Sequence, residues 1–536
     1  MKKIIGFVFV LMLVGSCKSV SKYNEQIARL HPIKDLHADI DKVYGQLQKN
    51  HPKLYQYTPK EVLDFKFDSL KKSITTPINS REFYKKLAPV VANVRQGHIS
   101  VGSASKQFTN KERKKLKKQK FEFYDLEFGY LNNALWVLKT KGEDSTLIGS
   151  EVVKIDHENI NDLIDVYKTR FASDGYNKTL HNRLVGNAFS TLYFKDKGYL
   201  DSLNVTFKLK DSLFSRTLKR VEKEKKKDSI ATDSLKSIAK IKLTASEKKQ
   251  NRKVAKQNRR FKRIHGFINK HDGYTRNFQF LEDSTVAYMK IKSFSNGNYR
   301  KFYKESFKTI DSLQTKNLII DLRDNGGGRI AEIDFLYAYL TTQNYKLIEE
   351  SEVNSRLPYF NYLMGNTTPF ILKASSVILS PLIIAQNLIK TKKKDQKIYY
   401  KLRFSKEKEP NPLNYKGNLY VLINGNSFSA SSLLSTHLKA TKRAVFVGEE
   451  TGGAYNGCVA GIYKIYQVPN SKLKIRMGLM QIETPFKQDP DGYGVKPDVE
   501  IVPLIDDRKL HKDPELNWVL HAIKTDANLK ETTSKI

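Results

Sequence analysis

The sequence predicts a multidomain α/β protein, and three observations carry that prediction. The chain has 536 residues, more than a single hydrophobic core usually serves. Two apolar runs of strand length, 318–322 and 419–423, each enter a turn of small or polar residues and leave as a helix-forming segment. Helical spacing dominates up to about residue 109, while short strand-like runs dominate 121–212 and return from about 272. The composition, 40% hydrophobic and 11% aromatic, is that of a globular chain.

The elements follow in chain order. Residues 1–17 read MKKIIGFVFVLMLVGSC: two lysines, an apolar run over 4–14, two small residues and Cys17. That is a secretory signal, too short to span a membrane. Its ending, Val-Gly-Ser-Cys, resembles a bacterial lipobox, which implies Cys17 as the lipidated first residue of the mature chain. No acidic cluster follows, so the expected location is the cell envelope, facing the periplasm. Cys458 is the one other cysteine, which excludes an intrachain disulfide in the mature protein and a cysteine-rich zinc site. There is no H-E-x-x-H, and neither a metal nor an organic cofactor is expected.

Residues 24–109 read as a helical domain. Leu36, Ile40, Val43, Tyr44 and Leu47 recur at helical spacing, and further helices are expected over 61–74 and 80–94. A basic linker covers 110–119. Residues 121–212 read as a β-rich module with a helix, in which 150–168 resemble the strand and helix of a PDZ domain. Residues 213–265 are a charged insertion, expected as an exposed helix or disorder. Within it, 216–263 hold 19 Lys/Arg against 5 Asp/Glu, a net +14 of the chain's +38. Such charge beside a membrane suits anionic lipid. Nucleic acid is the other usual partner of basic chains, but the signal and the lack of a binding motif argue against it. Residues 272–506 form the last domain, with a strand over 285–291. The 507–536 tail is expected to carry one short helix, over 513–523.

Chemistry concentrates in the two strand–turn–helix units. In 419–453 the strand ends at Asn424-Gly425-Asn426, Ser427 is the expected N-cap, and Ser429 falls in the first helical turn. A serine there sits on rigid elements beside the positive end of a helix dipole and its N–H groups. Acyl transfer needs that setting, a nucleophile with donors waiting for an oxyanion. The bland alternative is a capping cluster. In 317–328, NLIIDLRDNGGG, three glycines let the backbone approach another group. No Lys-Ser/Thr pair follows them and the G-x-G-x-x-G spacing fails, which argues against nucleotide binding.

Together Asp321 to Gly328, Ser429-Ala430-Ser431 and the Gly448-Glu449-Glu450-Thr451-Gly452-Gly453 turn resemble the C-terminal-processing (tail-specific) and tricorn-core serine peptidases. The resemblance implies a catalytic domain of the crotonase/ClpP-like αββ type under a helical cap. It implies Ser429 as nucleophile and an oxyanion hole from N–H groups of Gly327, Gly328 and Ala430. The tail-specific branch has a Lys after the G-E-x-T-x-G turn, where Ala454 stands here. The tricorn-like branch uses a His and an acidic residue instead. Residues 88–102 then imply His98 as base, with Gly97 where tricorn has a Ser. Residues 491–498 imply Asp491 as the orienting carboxylate, with Asp489 a close competitor. Such a triad is chemically coherent, since a serine needs a base in reach and a carboxylate fixes the imidazole tautomer. His437, two turns along the Ser429 helix, reads as a surface or satisfied helix residue.

The expected function is a lipid-anchored envelope serine endopeptidase acting on proteins or peptides. Two rivals are a catalytically silent binding protein on the same scaffold and an envelope scaffold.

Overall fold

The computed structural model describes residues 19–142, 145–223, 244–268, 273–281 and 284–533. The leader with Cys17 and residues 224–243 of the basic insertion lie outside them. Four helices open the chain: α1 (Val20–Ala28), α2 (Ile33–Asn50), α3 (Lys60–Lys72) and α4 (Ser80–Ala92). Helix α2 buries Leu36, Ile40, Val43 and Leu47, the stripe its spacing predicts. Asn79 caps α4 by accepting the Arg81 and Glu82 N–H groups. A turn over 93–99 then leads into β1 (Ser100–Gly102).

The second part is a sheet with its own core of Val152, Ile164, Tyr167, Phe189 and Phe207. Its strand order is Gln119–Phe121, Ser212–Glu222, Ser202–Leu209, Glu151–Ile155, Ala134–Thr140, Leu126–Leu131. The boundary expected at 212 therefore moves. Ser212–Glu222 is a strand, paired along its length with Ser202–Leu209. Arg216 and Arg220 share the half-buried face of Leu218 and Lys219 stands exposed opposite them, so charge on both faces hid the period of two. After the undescribed residues comes α5 (Ala245–His265), opened by a Thr244/Glu247 capping box and buried only at Ile264.

The third part is organised on a six-stranded sheet. Its strands are β2 (Arg276–Leu281), β3 (Val286–Ile291), β4 (Asn317–Asp321), β5 (Asn418–Ile423), β6 (Val445–Gly448) and, after the hairpin β7 (Cys458–Gln467) and β8 (Lys474–Ile482), β9 (Val499–Glu500). They lie in the order β2-β3-β4-β5-β6-β9, parallel from β3 onward. The alternation is strict. Ala287, Met289, Leu318, Ile320, Leu419, Val421 and Ile423 face the large core. Helices α6 (Tyr299–Ser312), α7 (Ile330–Leu340) and α10 (Ala430–Ala440) supply Phe302, Leu336 and Leu434 to it. Helices α8 (Phe370–Ile378) and α9 (Ser380–Lys390) stand apart from this layer.

The opposite face, with Val286, Ile319, Tyr420, Leu422 and Val447, is covered by α11 (Pro514–Thr533) through Val519 and Ile523. This helix is longer than the 513–523 expected. Fully burying a side chain of that kind contributes roughly 1.5–3 kcal/mol. The remaining sheet is β1-β8-β7, in which Val101 pairs with Ile475. That pairing fastens the end of the helical domain to the third part.

Candidate active site

Ser429 and His98 meet, although 331 residues separate them. His98 Nε2 lies 3.0 Å from Ser429 Oγ. Each is placed by backbone rather than by its own side chain. Ser429, not Ser427, is the N-cap of α10, with φ 57° and ψ −116°. A non-glycine residue at that φ is strained and is held there only by its surroundings. Ser427 is diverted, its hydroxyl donating to Leu322 O at 2.8 Å. The glycine-rich turn locks onto the serine turn. The Phe428 N–H and the Ser431 hydroxyl both donate to Asn325 O, at 3.0 and 2.8 Å. A Cβ on Gly327 would lie 2.8 Å from both Ser429 Cβ and Ala430 N, so only glycine lets the turns close this far. The Gly327 N–H itself donates to Asn325 Oδ1 at 2.9 Å. As an oxyanion donor Gly327 is thus corrected, because its N–H is already engaged.

His98 is held on the other side. It precedes β1, and Arg476 on β8 donates to its carbonyl at 3.3 Å. The ring packs edge-on against Phe428 and Tyr463, with Tyr463 Oη 3.4 Å from Nδ1. Burial, with the Arg476 charge second, lowers the imidazole from 6.5 to about 3. The ring is therefore neutral at physiological pH, the form that can accept a proton.

Asp491 is not at the ring. Its Oδ2 accepts from Gln56 Nε2 at 2.9 Å and its Oδ1 accepts the Gly492 N–H at 2.6 Å. Gln56 Oε1 in turn accepts from Gln96, two residues before His98. The expectation that Asp491 orients the imidazole directly is corrected, because its oxygens are taken by Gln56 and Gly492 while the ring Nδ1 faces Tyr463. His437 is satisfied but not on the surface. It is fully buried, with Nε2 2.7 Å from Leu347 O.

Sequence reasoning missed Asp174, which is 1% exposed in the loop after Ile160–Lys168. Its Oδ1 accepts the Gly97 N–H at 2.8 Å and the carboxyl faces the Ala454 N–H, which sets it between the 96–98 loop and the Gly452-Gly453-Ala454 turn. Its Oδ2 has no partner among the described residues. Burial raises it to about 7 against those two donors, with the Asp491 charge adding to the rise. A side chain at Gly97 has no room. Its Cβ would lie 2.6 Å from the Phe428 ring and 3.3 Å from Asp174 Oδ1. No motif marks Asp174, and the Ser-Asp-Gly run around it reads as a turn. Cys458 lies beside Ser429, and burial pushes its thiol well above the ordinary range. It is a neutral neighbour, not a competing nucleophile.

The turn of 448–453 is fixed by the second part of the chain. Arg183 donates to Glu449 at 2.7 Å, Thr179 to Glu450 O and Asn177 to Thr451 O at 3.0 Å each.

Comparison with known proteins fits this arrangement. Residues 285–501 match peptidase family S41. Mature CPAF has the same overall fold at 14% identity, with a TM-score of 0.54, covering 89% of this chain and 94% of its own. Mature CPAF complexed with lactacystin gives 14% identity and a TM-score of 0.56, with 89% and 95% covered. The photosystem II D1 C-terminal processing protease is more distant, at 13% identity and a TM-score of 0.38, with 87% and 93% covered. A search of curated proteins returns no match. The chain thus carries a peptidase family S41 domain and is a serine-type peptidase acting on proteins or peptides.

Proposed function

We propose that the chain is an endopeptidase of the cell envelope that works through an acyl-enzyme on Ser429, with His98 as general base. The contact that carries this reading is His98 Nε2 to Ser429 Oγ at 3.0 Å, within the range a proton transfer needs. Ser429 Oγ attacks the scissile carbonyl while its proton passes to His98 Nε2. In the tautomer this requires, the Nδ1–H faces Tyr463 Oη, which can accept from it. The tetrahedral oxyanion is met by the Ala430 N–H, at the helix end whose first N–H groups have no intrahelical partner, and by Gly328. Collapse transfers the proton from His98 to the leaving amine. Water attacks the acyl-enzyme by the same route and restores the serine. Asp491 and Asp174 act behind the base, holding the 96–98 loop. The envelope location rests on the 1–17 leader.

The test is labelling of the folded protein with a fluorophosphonate. Wild type labels, Ser429→Ala does not, His98→Ala slows by at least about a hundredfold, and Asp491→Asn slows by less. A folded wild type that stays unlabelled would return the chain to the silent binding protein. Labelling that survives His98→Ala would sink the choice of base.

A further inference from the structure

Helices α8 and α9 concentrate exposed apolar side chains. Nine of the 27 exposed large apolar side chains among the described residues fall within 370–389, a stretch of twenty residues. Phe370 is 52% exposed, Ile371 74%, Val377 57%, Ile378 80%, Leu382 71% and Ile389 79%. A contiguous apolar surface of this kind marks a docking face on a folded protein. The two helices meet at a bend of 74°, and together they are apolar enough for a membrane segment, though neither is alone. With nine and eleven residues, each is about half the length a bilayer-spanning helix needs. The geometry suits lying in a bilayer surface, not crossing it.

Two further observations name the occupant. The first is charge. Lys390 ends α9, and the next strand begins Thr391-Lys392-Lys393-Lys394, all three lysines exposed. Among the described residues no carboxylate ion-pairs with Lys392, Lys393 or Lys394, and Asp395 is the acidic residue in the turn beside them. Lysines at the rim of an apolar helix pair complement anionic headgroups, and the chain as a whole carries +38. The second is position. Asn366 and Thr367, at the root of α8, donate to Gln467 O and Ile465 O at 2.7 and 2.8 Å. Gln26 of α1 donates to Asn470 O at 3.0 Å, in the same hairpin end. Helix α1 begins two residues after the leader, whose 4–14 run is apolar. The start of the described chain and the apolar helix pair are therefore gripped by one hairpin end.

We propose that α8 and α9 form a second membrane contact, seating their apolar face in the surface of an anionic bilayer beside the N-terminal tether. The tether would hold the protein near the membrane, and the helix pair would fix how the molecule faces it.

The experiment uses the chain from Ser19 onward, which removes the leader and keeps all the described residues. Flotation is measured with vesicles of phosphatidylcholine alone and with phosphatidylglycerol added. Binding to the anionic vesicles is expected. Ile378→Asp with Ile389→Asp should weaken it at least tenfold, as should charge reversal at Lys392, Lys393 and Lys394. Tryptophan emission of an Ile378→Trp variant should shift to the blue on adding anionic vesicles. Fluorophosphonate labelling of Ser429 should be unchanged in all of them, which separates this proposal from the peptidase reading. Absence of vesicle binding by the labelled, folded protein would overturn the proposal. So would binding insensitive to Ile378→Asp with Ile389→Asp, which would assign it to the basic insertion. A dimer that those substitutions dissociate, with no vesicle binding, would assign the face to a second copy of the chain.

Discussion

At Asp174 a single carboxyl bridges two loops that must stay in register, and it does so at an electrostatic cost. Its folded value is raised from 3.8 to about 7. A raised value contributes stability that is full below 3.8 and lost as pH rises through about 7. Asp174→Asn keeps an oxygen for the Gly97 N–H and abolishes the titration. The melting temperature of the variant, relative to wild type, should therefore rise by a few degrees between pH 4 and pH 8. A flat difference across that range would show that the carboxyl is not held up by burial. Residues 98 and 429 were legible because each lies in a short pattern with a chemical rationale. Asp174 was not, because only folding brings its loop to Gly97. Asp491 was misread for the related reason that Gln56, which takes one of its oxygens, belongs to another domain.

The elements that carry the site were mostly legible, since β3, β4 and β5 read as apolar runs ending in turn residues. The strand Ser212–Glu222 and the full length of α11 were not. Lysines and arginines mask the alternation of the first, and the second covers its sheet face with few apolar residues. Yet α11 bears directly on the glycine-rich turn. Arg323, 5% exposed at its side chain, donates to Asp321 beside it and to Asp513 at the start of α11, and Glu515 lies 3.2 Å away. Burial pushes the Asp321 carboxyl up, but Arg323 and Lys290 more than offset this and hold it well below the ordinary range. Arg323→Ala leaves Asp321 to Lys290 alone and the buried Glu515 without its ion-pair partner. Removing one partner of such a pair costs roughly 3–5 kcal/mol. The urea midpoint should fall accordingly, and Ser429 labelling should slow because the Asn325–Gly328 turn loses its anchor. An unchanged midpoint would mean that the ion cluster is incidental.

On the scale of the whole molecule, three parts converge on one turn. The helical domain brings His98, the third part brings Ser429, and the second part grips the 448–454 turn between them. The Arg183–Glu449 pair is the charged element of that grip, with side chains 12% and 14% exposed. Arg183→Ala should slow fluorophosphonate labelling about tenfold, ~1.4 kcal/mol of barrier, while unfolding of the second part's own core stays put. Equal labelling would make the second part a passive neighbour of the site. Division into parts was visible in the shifts of composition and period along the sequence. How they meet was not, because contacts such as Asn177 to Thr451 join residues 274 apart through single side chains that no periodicity marks.

If His98 and Ser429 act as proposed, the wide sequence gap between them also makes the site a gauge of chain integrity. A cut in the exposed Asn110–Lys117 helix, followed by loss of the N-terminal piece, removes His98 and strand β1 together. Ser429 then keeps its strained turn but has nowhere to send its proton. Self-digestion at that point would silence the peptidase instead of releasing a smaller active one.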